Sequence, residues 1–457
     1  MASQARYEDV IGQFPILKTY NHGILLFPIA DDSARESVVK ALEEGTAEVV
    51  SKIPWLADQV VDEGKGHGKS GPYKLAPWPK DAQPNRIVRV KDCSDICPSY
   101  ADLIKAGAPV SKLDASVLCP FPGFPQSYDE SVIGPAPVVA IQANFVKGGL
   151  LLNFSNQHNF MDATGLFMFI MHLATAMRGE ELSDIAIKQG NRDPKTVIPL
   201  FPEGEPIRDH SHLIRSAPAN GTPAAPPPAA LRSPASWCYF RLFGSAIPKI
   251  KALASDPATL NPDVPFISSN DAISAFYWKR LAAVRLRNGR PASATSKLGR
   301  AIDARAAVGV PPEYLGQMVY HASTRLSLGE LAALPLAMLA SRVRADLNEA
   351  NTPFAVRSYA TFVAGVPDKS TLAYGGPFDT SLDVGSSSMA QLPALPRLGA
   401  LGEPDLIRRP NLAPVPGGMY LYPAEKGDLP VLVCLSEEDL DGLKKDPEWS
   451  MCTEVIG

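Results

Sequence analysis

"NQHNFMDATG" (residues 156–165) lies between the apolar runs "LLLNFS" (150–155) and "LFMFIMHLATAM" (166–177). It places His158 and Asp162 four residues apart at a junction otherwise built for burial. An unpaired charge in such surroundings is costly, so the pair reads either as a satisfied polar cluster or as a working site. Upstream, "VVAIQANFV" (138–146) alternates Val139, Ile141, Ala143 and Phe145 on one side, and Lys147-Gly148-Gly149 turns it back into a second strand. Downstream, Leu166, Phe169, Ile170, Leu173 and Met177 recur at helical spacing, Phe167, Met168 and Met171 make the other faces apolar, and Gly179 closes the segment. His158 therefore falls where a strand gives way to a deeply buried helix, a place that can hold a side chain rigidly.

Working outward, residues 37–53 form one broad helical face through Val38, Leu42, Val49 and Ile53. "WCYFRLF" (237–243) reads as a strand, and "SNDAISAFYWKRLAAVRLR" as a helix capped by Ser269 or Asn270. "LPLAMLASRVRADL" (334–347) sets Pro335 near a helix start, with Leu336, Leu339, Val343 and Leu347 as its buried stripe. Between these halves, Ala217–Pro234 is rich in Pro and Ala without periodicity and reads as a crossover. A chain of 457 residues exceeds what one core supports, so two α/β domains of about 200 residues each are expected.

The bulk numbers exclude several functions. Lys plus Arg (44) nearly balances Asp plus Glu (48), and no dense basic run is present to neutralise a phosphate backbone, so nucleic acid is not the expected partner. The longest apolar stretch, Leu166–Met177, falls short of the roughly 20 residues a bilayer requires. The start, "MASQARYEDVIGQFP", lacks the pattern of a secretory signal, so the cytosol is the expected compartment. Six irregularly spaced cysteines then read as reduced, packed thiols, and Cys93 and Cys97 find no second ligand pair for zinc. The sequons at Asn153 and Asn220 are chance matches in that setting. "GKGHGKSGP" (64–72) resembles a phosphate-binding loop but has three residues where four are needed, and Gly71-Pro72 follow where a helix should open. No G-x-S-x-G nucleophile elbow occurs.

"QHNFMDATG", "SNDAISAFYWK", "AIDARAAVGVPPEYLGQMV", "SSMAQLP" and "LGEPDLIRRP" resemble, in order and spacing, the BAHD-like acyl-CoA-dependent acyltransferases. The ending "CLSEEDLDGLKKDPEWSMCTEVIG" is similar to the fungal branch that includes trichothecene 3-O-acetyltransferase. The resemblance covers nearly the whole chain. It implies a two-domain chloramphenicol-acetyltransferase-like fold: residues 1–215 carrying H-x-x-x-D, a crossover at 216–234, and a second domain at 235–457. Each domain would be a mixed sheet flanked by helices, with the active-site tunnel between them and a C-terminal strand crossing back to complete the first domain.

The chemistry implied suits the residue types. An alcohol is a poor nucleophile at neutral pH, so a neutral imidazole must take its proton as it attacks a thioester, and the imidazolium can then protonate the departing CoA thiolate. His158 is the candidate for both steps. In the family the Asp of this motif turns from the substrate and pairs with an Arg, which makes Asp162 a structural support and Arg305 its partner. The resemblance also sets Ser387 near the reacting carbonyl, as a candidate oxyanion contact. Lys249 and Lys251, on a short helix after Pro248, are candidates for the CoA phosphates, although a solvated helix face reads as well. No metal or permanently bound cofactor is implied. Acyl-CoA, with acetyl-CoA favoured, is the co-substrate, and a small-molecule alcohol or amine of secondary metabolism the acceptor of a monomeric enzyme.

Three positions depart from the family. Ala163 follows Asp162 where the plant motif has Gly, Met389 stands where an indole could donate to the oxyanion, and "RLGALGEP" (397–404) replaces "DFGWGKP", with Arg397 for Asp and Leu398 for Phe. Two other functions compete. A freestanding condensation domain accepts carrier-bound acyl groups but uses H-H-x-x-x-D-G, against which Gln157 and Ala163 count. A non-catalytic binding relative is favoured by Met389 and Arg397 and opposed by the intact His158 and Asp162.

Overall fold

The computed structural model describes residues 9–29, 31, 33–63, 70–215, 234–394 and 397–457. In chain order the strands that build the main sheets are β1 (Tyr20–Pro28), β2 (Val88–Asp92), β3 (Val139–Val146), β4 (Gly149–Gln157), β5 (Ala235–Leu242) and β6 (Thr295–Asp303). They continue as β7 (Val319–Ser327), β8 (Val384–Ser388), β9 (Leu406–Arg408), β10 (Gly418–Leu421), β11 (Leu429–Ser436) and β12 (Thr453–Val455). One sheet has the order β9-β1-β4-β3-β2, and the other β7-β6-β8-β10-β11-β5-β12. Both are mixed: β2 lies parallel to β3, and β8 parallel to both β6 and β10, while the remaining neighbours are antiparallel.

The β3–β4 hairpin is the centre of the first sheet, and every residue of its two strands is buried. Burial on both faces follows from what covers them. Val139, Ile141, Ala143 and Phe145 face a core shared with helices α1 (Ala34–Lys52) and α2 (Ala163–Met177), through Val38, Leu42 and Val49 on one and Leu166, Phe169, Ile170 and Leu173 on the other. The opposite face, with Leu151 beside Ile24 and Leu26 of β1, is closed by Tyr100, Leu103 and Leu118. Strand β9 joins this sheet from late in the chain, pairing Leu406, Ile407 and Arg408 with Leu26, Leu25 and Ile24.

The second sheet is covered by α3 (Ile247–Ala254), α4 (Ser269–Arg287) and α5 (Leu336–Ala350), and a further helix α6 (Pro353–Gly365) follows. Helix α4 is capped by Ser268, not by Ser269 or Asn270 as expected. Its hydroxyl accepts from the amide of Asp271 while the Asp271 carboxylate accepts from the Ser268 amide, a reciprocal pair that the neighbouring residues cannot form. On α5, Pro335 is the N-cap residue and Leu339 and Val343 are buried, but Leu336 and Leu347, at the two ends of the expected stripe, are only half-buried, packing at the edges of two different clusters. Apart from Pro234 the Pro- and Ala-rich crossover lies outside the described residues, as do residues 64–69 of the loop that resembled a phosphate site. No helix of the described residues is long and apolar enough to cross a membrane.

Burial also leaves a pH signature. His22, His172, His210 and His321 are each pushed down to about 4, in every case chiefly by burial. Between that value and the ordinary 6.5 the unfolded chain binds protons that the native chain refuses, so stability must fall as pH falls through this window. Denaturant midpoints are expected to drop steadily from pH 7 to pH 4.5. A flat profile would show that these imidazoles are not held neutral.

Candidate active site

Strand β4 ends at Gln157 and helix α2 starts at Ala163, so residues 158–162 form a tight link between two buried elements. The link is held from several sides: His158 N–H donates to the Thr19 carbonyl at 2.9 Å, and the Asn159 side chain donates through Nδ2 to the Gly12 carbonyl at 2.6 Å. Met161 pairs antiparallel with Gly316, in the segment that leads into β7. The link from the first sheet and the run 314–318 from the second thus lie against each other. The approach is close at Gly165, where a Cβ would stand 2.0 Å from the Leu315 carbonyl oxygen. This explains why Ala163 is tolerated: the site that admits no side chain is two residues further on, and Gly165 keeps it.

Asp162 is fully buried and saturated. Its carboxylate accepts from Arg305 Nη1 and Nη2 at 2.8 and 3.0 Å, from the Met318 amide at 2.8 Å and from the Gly165 amide at 2.8 Å. Arg305 follows the end of β6 and uses its remaining donors on the Tyr314 and Gly316 carbonyls and on Asp303. Asp162 therefore caps α2 and fastens the two sheets together in one contact, with no oxygen directed at His158.

The His158 ring is half-buried. Its Nδ1 lies 3.3 Å from the Met161 carbonyl, and the described residues place no hydrogen-bond partner on Nε2. A proton on Nδ1 given to that carbonyl leaves the Nε2 lone pair available, which is the form a base needs. Burial lowers the ring's pKa, against the opposing charge of Asp162 and the Met161 carbonyl, so the imidazole is neutral at pH 7.

His321, on β7, is close enough for its pKa to feel a charge on His158. Its ring stands edge-on to Tyr374 at 4.6 Å, and its buried Nδ1 has no hydrogen-bond partner among the described residues. It lines a cavity of about 290 Å³ together with His210, His212, Tyr359, Asp346 and Glu349. Gln317 was missed by the sequence reading. Although it sits within a quoted motif, no spacing rule marks it, and yet its amide reaches both the carbonyl and the ring of His158.

The other candidates lie apart. Ser387 is half-buried on β8, and its hydroxyl makes no hydrogen bond to the described residues. Met389, just beyond it, packs against the first core and against a small cluster around Trp237 and Tyr422, and it offers no donor. Arg397 is exposed while Leu398 is buried in the first core, so that segment keeps its packing role. Lys249 and Lys251 are on α3, which packs on α4 and α5. His321 projects from the other face of the sheet, since on β7 the alternate residues Tyr320 and Thr324 bond to α5. Lys249 is exposed, and Lys251 Nζ sits 5.4 Å from the Phe266 ring centroid.

Comparison with known proteins agrees with this geometry. Residues 19–177 match the trichothecene 3-O-acetyltransferase-like N-terminal domain, and residues 124–450 match the Transferase family. The chain is 46% identical to the O-acyltransferase pigD of Monascus ruber over the full length of both, and 41% identical to the O-acetyltransferase epaC of Aspergillus niger over 99% of this chain and 97% of that one. Its fold superposes with a TM-score of 0.89 on the crystal structure of F. graminearum TRI101 complexed with coenzyme A and T-2 mycotoxin, at 31% identity and covering all of both chains. The chain belongs to the Transferase family, within its trichothecene 3-O-acetyltransferase-like branch, and is an acyltransferase.

Proposed function

We propose that this acyltransferase moves an acetyl group from acetyl-CoA directly to a hydroxyl of a small secondary metabolite, with His158 as general base. The observation that carries this reading is the unpartnered Nε2 of a neutral imidazole on a rigid link, beside an Asp162 whose oxygens are all engaged elsewhere. Similarity to the O-acetyltransferases and to an enzyme crystallised with coenzyme A supports the donor.

In the transfer, the acceptor O–H gives its proton to Nε2 as oxygen attacks the thioester carbon. The C–S bond then breaks, and Nε2 returns the proton to the thiolate, so an ester and free CoA leave without an acyl-enzyme. Ser387 is retained as a candidate contact for the carbonyl oxygen. The division into domains at 1–215 and 235–457, with a crossover at 216–234, is part of this reading, and the two sheets, drawn largely from those halves, support it. Six unpaired cysteines fit a monomer working in the reducing cytosol.

The test is release of CoA thiol from acetyl-CoA when the protein is offered a panel of hydroxylated and amino acceptors. Ester formation with at least one alcohol is expected, and N-acylation alone would overturn the choice of oxygen. If Lys249 and Lys251 meet the CoA phosphates, their double alanine variant should bind CoA about tenfold more weakly, each exposed contact contributing of the order of 1 kcal/mol or less. Unchanged affinity by calorimetry would assign them to the solvated face of α3.

A further inference from the structure

Gln317 is fully buried, and its orientation is fixed from outside the site. Its Oε1 accepts from the Val319 amide at 3.0 Å, so the NH2 end must face His158. There Nε2 donates to the His158 carbonyl at 3.2 Å and stands 3.3 Å from Nδ1. On the other side Nδ1 has the Met161 carbonyl, which already accepts from Asn156 Nδ2 at 2.8 Å. One ring nitrogen is thus flanked by a neutral acceptor and a neutral donor.

In a serine-hydrolase triad a carboxylate occupies this place and stabilises the imidazolium. The titratable and charged groups near His158 are Asp162 on its own link, Asp303 at the end of β6 with Arg305 just after it, Asp9 packed beside Gly12 and the link, and His321 on β7. Asp162 is consumed by Arg305 and two amides, so none of them faces Nδ1 as a partner. We propose that Gln317 is a positioning residue that fixes the His158 ring while withholding charge from it, so that the imidazolium formed during transfer has no ion-pair partner and hands its proton to the leaving thiolate. This rests on His158 being the base. An amide N–H directed at a protonated Nδ1 opposes the positive ring, whereas a carboxylate there would retain it.

The isosteric Gln317→Glu variant separates positioning from mere packing. In protein labelled with ¹⁵N-histidine, with the His158 resonances assigned by their loss in His158→Ala, the imidazole should titrate at least about one pH unit higher than in the parent, a tenfold rise in proton affinity. Gln317→Leu, which removes the opposing N–H but adds no charge, should shift it upward by much less than the Glu variant does. Its turnover in the thiol assay, with water as the acyl acceptor from acetyl-CoA, should fall about tenfold while KM for acetyl-CoA stays within about twofold, the pattern of a lost transition-state interaction. A Glu variant that titrates with the parent, or a Leu variant with parental turnover, overturns the proposal. If the Leu variant does not fold, the Glu titration decides alone. Parental turnover in His158→Ala would instead refute the base assignment, and the titration result would still stand by itself.

Discussion

His158→Ala should fold, bind CoA as the parent does, and transfer acyl groups about 10² to 10⁴ times more slowly, the usual worth of a positioned general base. Little in the link leans on the imidazole for stability: its ring contacts are the two long ones of Nδ1 with the Met161 carbonyl and the Gln317 amide, while the link is held by His158 N–H on Thr19, Asn159 Nδ2 on Gly12 and Gln317 on the His158 carbonyl. The rival is His321, which is near enough to interact with a charge on His158 and lines a cavity of its own. His321→Ala should therefore raise KM for the acceptor more than it lowers turnover. His172 is excluded because it is buried well along α2, away from the link that carries His158. Because burial holds the His158 pKa below 6.5, the parental rate should be level above pH 7 and decline on the acid side only. Near-parental turnover in His158→Ala, with collapse in His321→Ala at equal folded fraction, would reverse the assignment.

Asp162→Asn should cost about 3 to 5 kcal/mol of stability, the range for breaking a buried ion pair from one side. The substitution leaves a single side-chain oxygen for four donors, and it sets an NH2 against Arg305 or a main-chain amide. Arg305 keeps Asp303 at 3.0 Å, so the guanidinium is not stranded entirely, and the lower end of the range is the expected one. Since Asp162 joins the link at 158–162 to the segment before β7, the loss should appear as an earlier denaturant midpoint and poorer soluble yield, with turnover per folded molecule reduced far less. A variant as stable as the parent whose turnover drops by several orders of magnitude would make Asp162 an orienter of the base.

What could be read from the sequence was local and periodic. The β3–β4 hairpin and α2 follow from the alternation and helical spacing around the link, which is enough to place His158 between a strand and a helix. Arg305 is 143 positions from Asp162, and no periodicity joins them; only the resemblance indicated the pair. Gln317, 159 positions from His158, had neither signal, because a carboxamide is unremarkable until its two partners are placed around it. The α4 cap was misplaced by one or two residues because Ser268, Ser269 and Asn270 are all capping types, and the choice among them is made by the reach of Asp271. Strand β9 has three residues and no pattern of its own, so only its partner β1 defines it.

That late strand has a bearing on how the chain is made. Tyr100 bonds to Asp405 at 2.6 Å and Arg408 to the Gly107 carbonyl at 2.9 Å, so β9 is tied to the first half by side chains as well as by its ladder. During synthesis, β4 has been translated by residue 157, and β9 begins at residue 406. At about 5 to 20 residues per second, β1 waits roughly 12 to 50 s on the ribosome with one edge unpaired. An open edge of that kind recruits stray strands. The first half made alone should therefore aggregate, a fragment supplying residues 397–457 should rescue it in part, and the full chain should gain soluble yield from slower, cooler expression in which chaperones guard β1 until its own partner arrives.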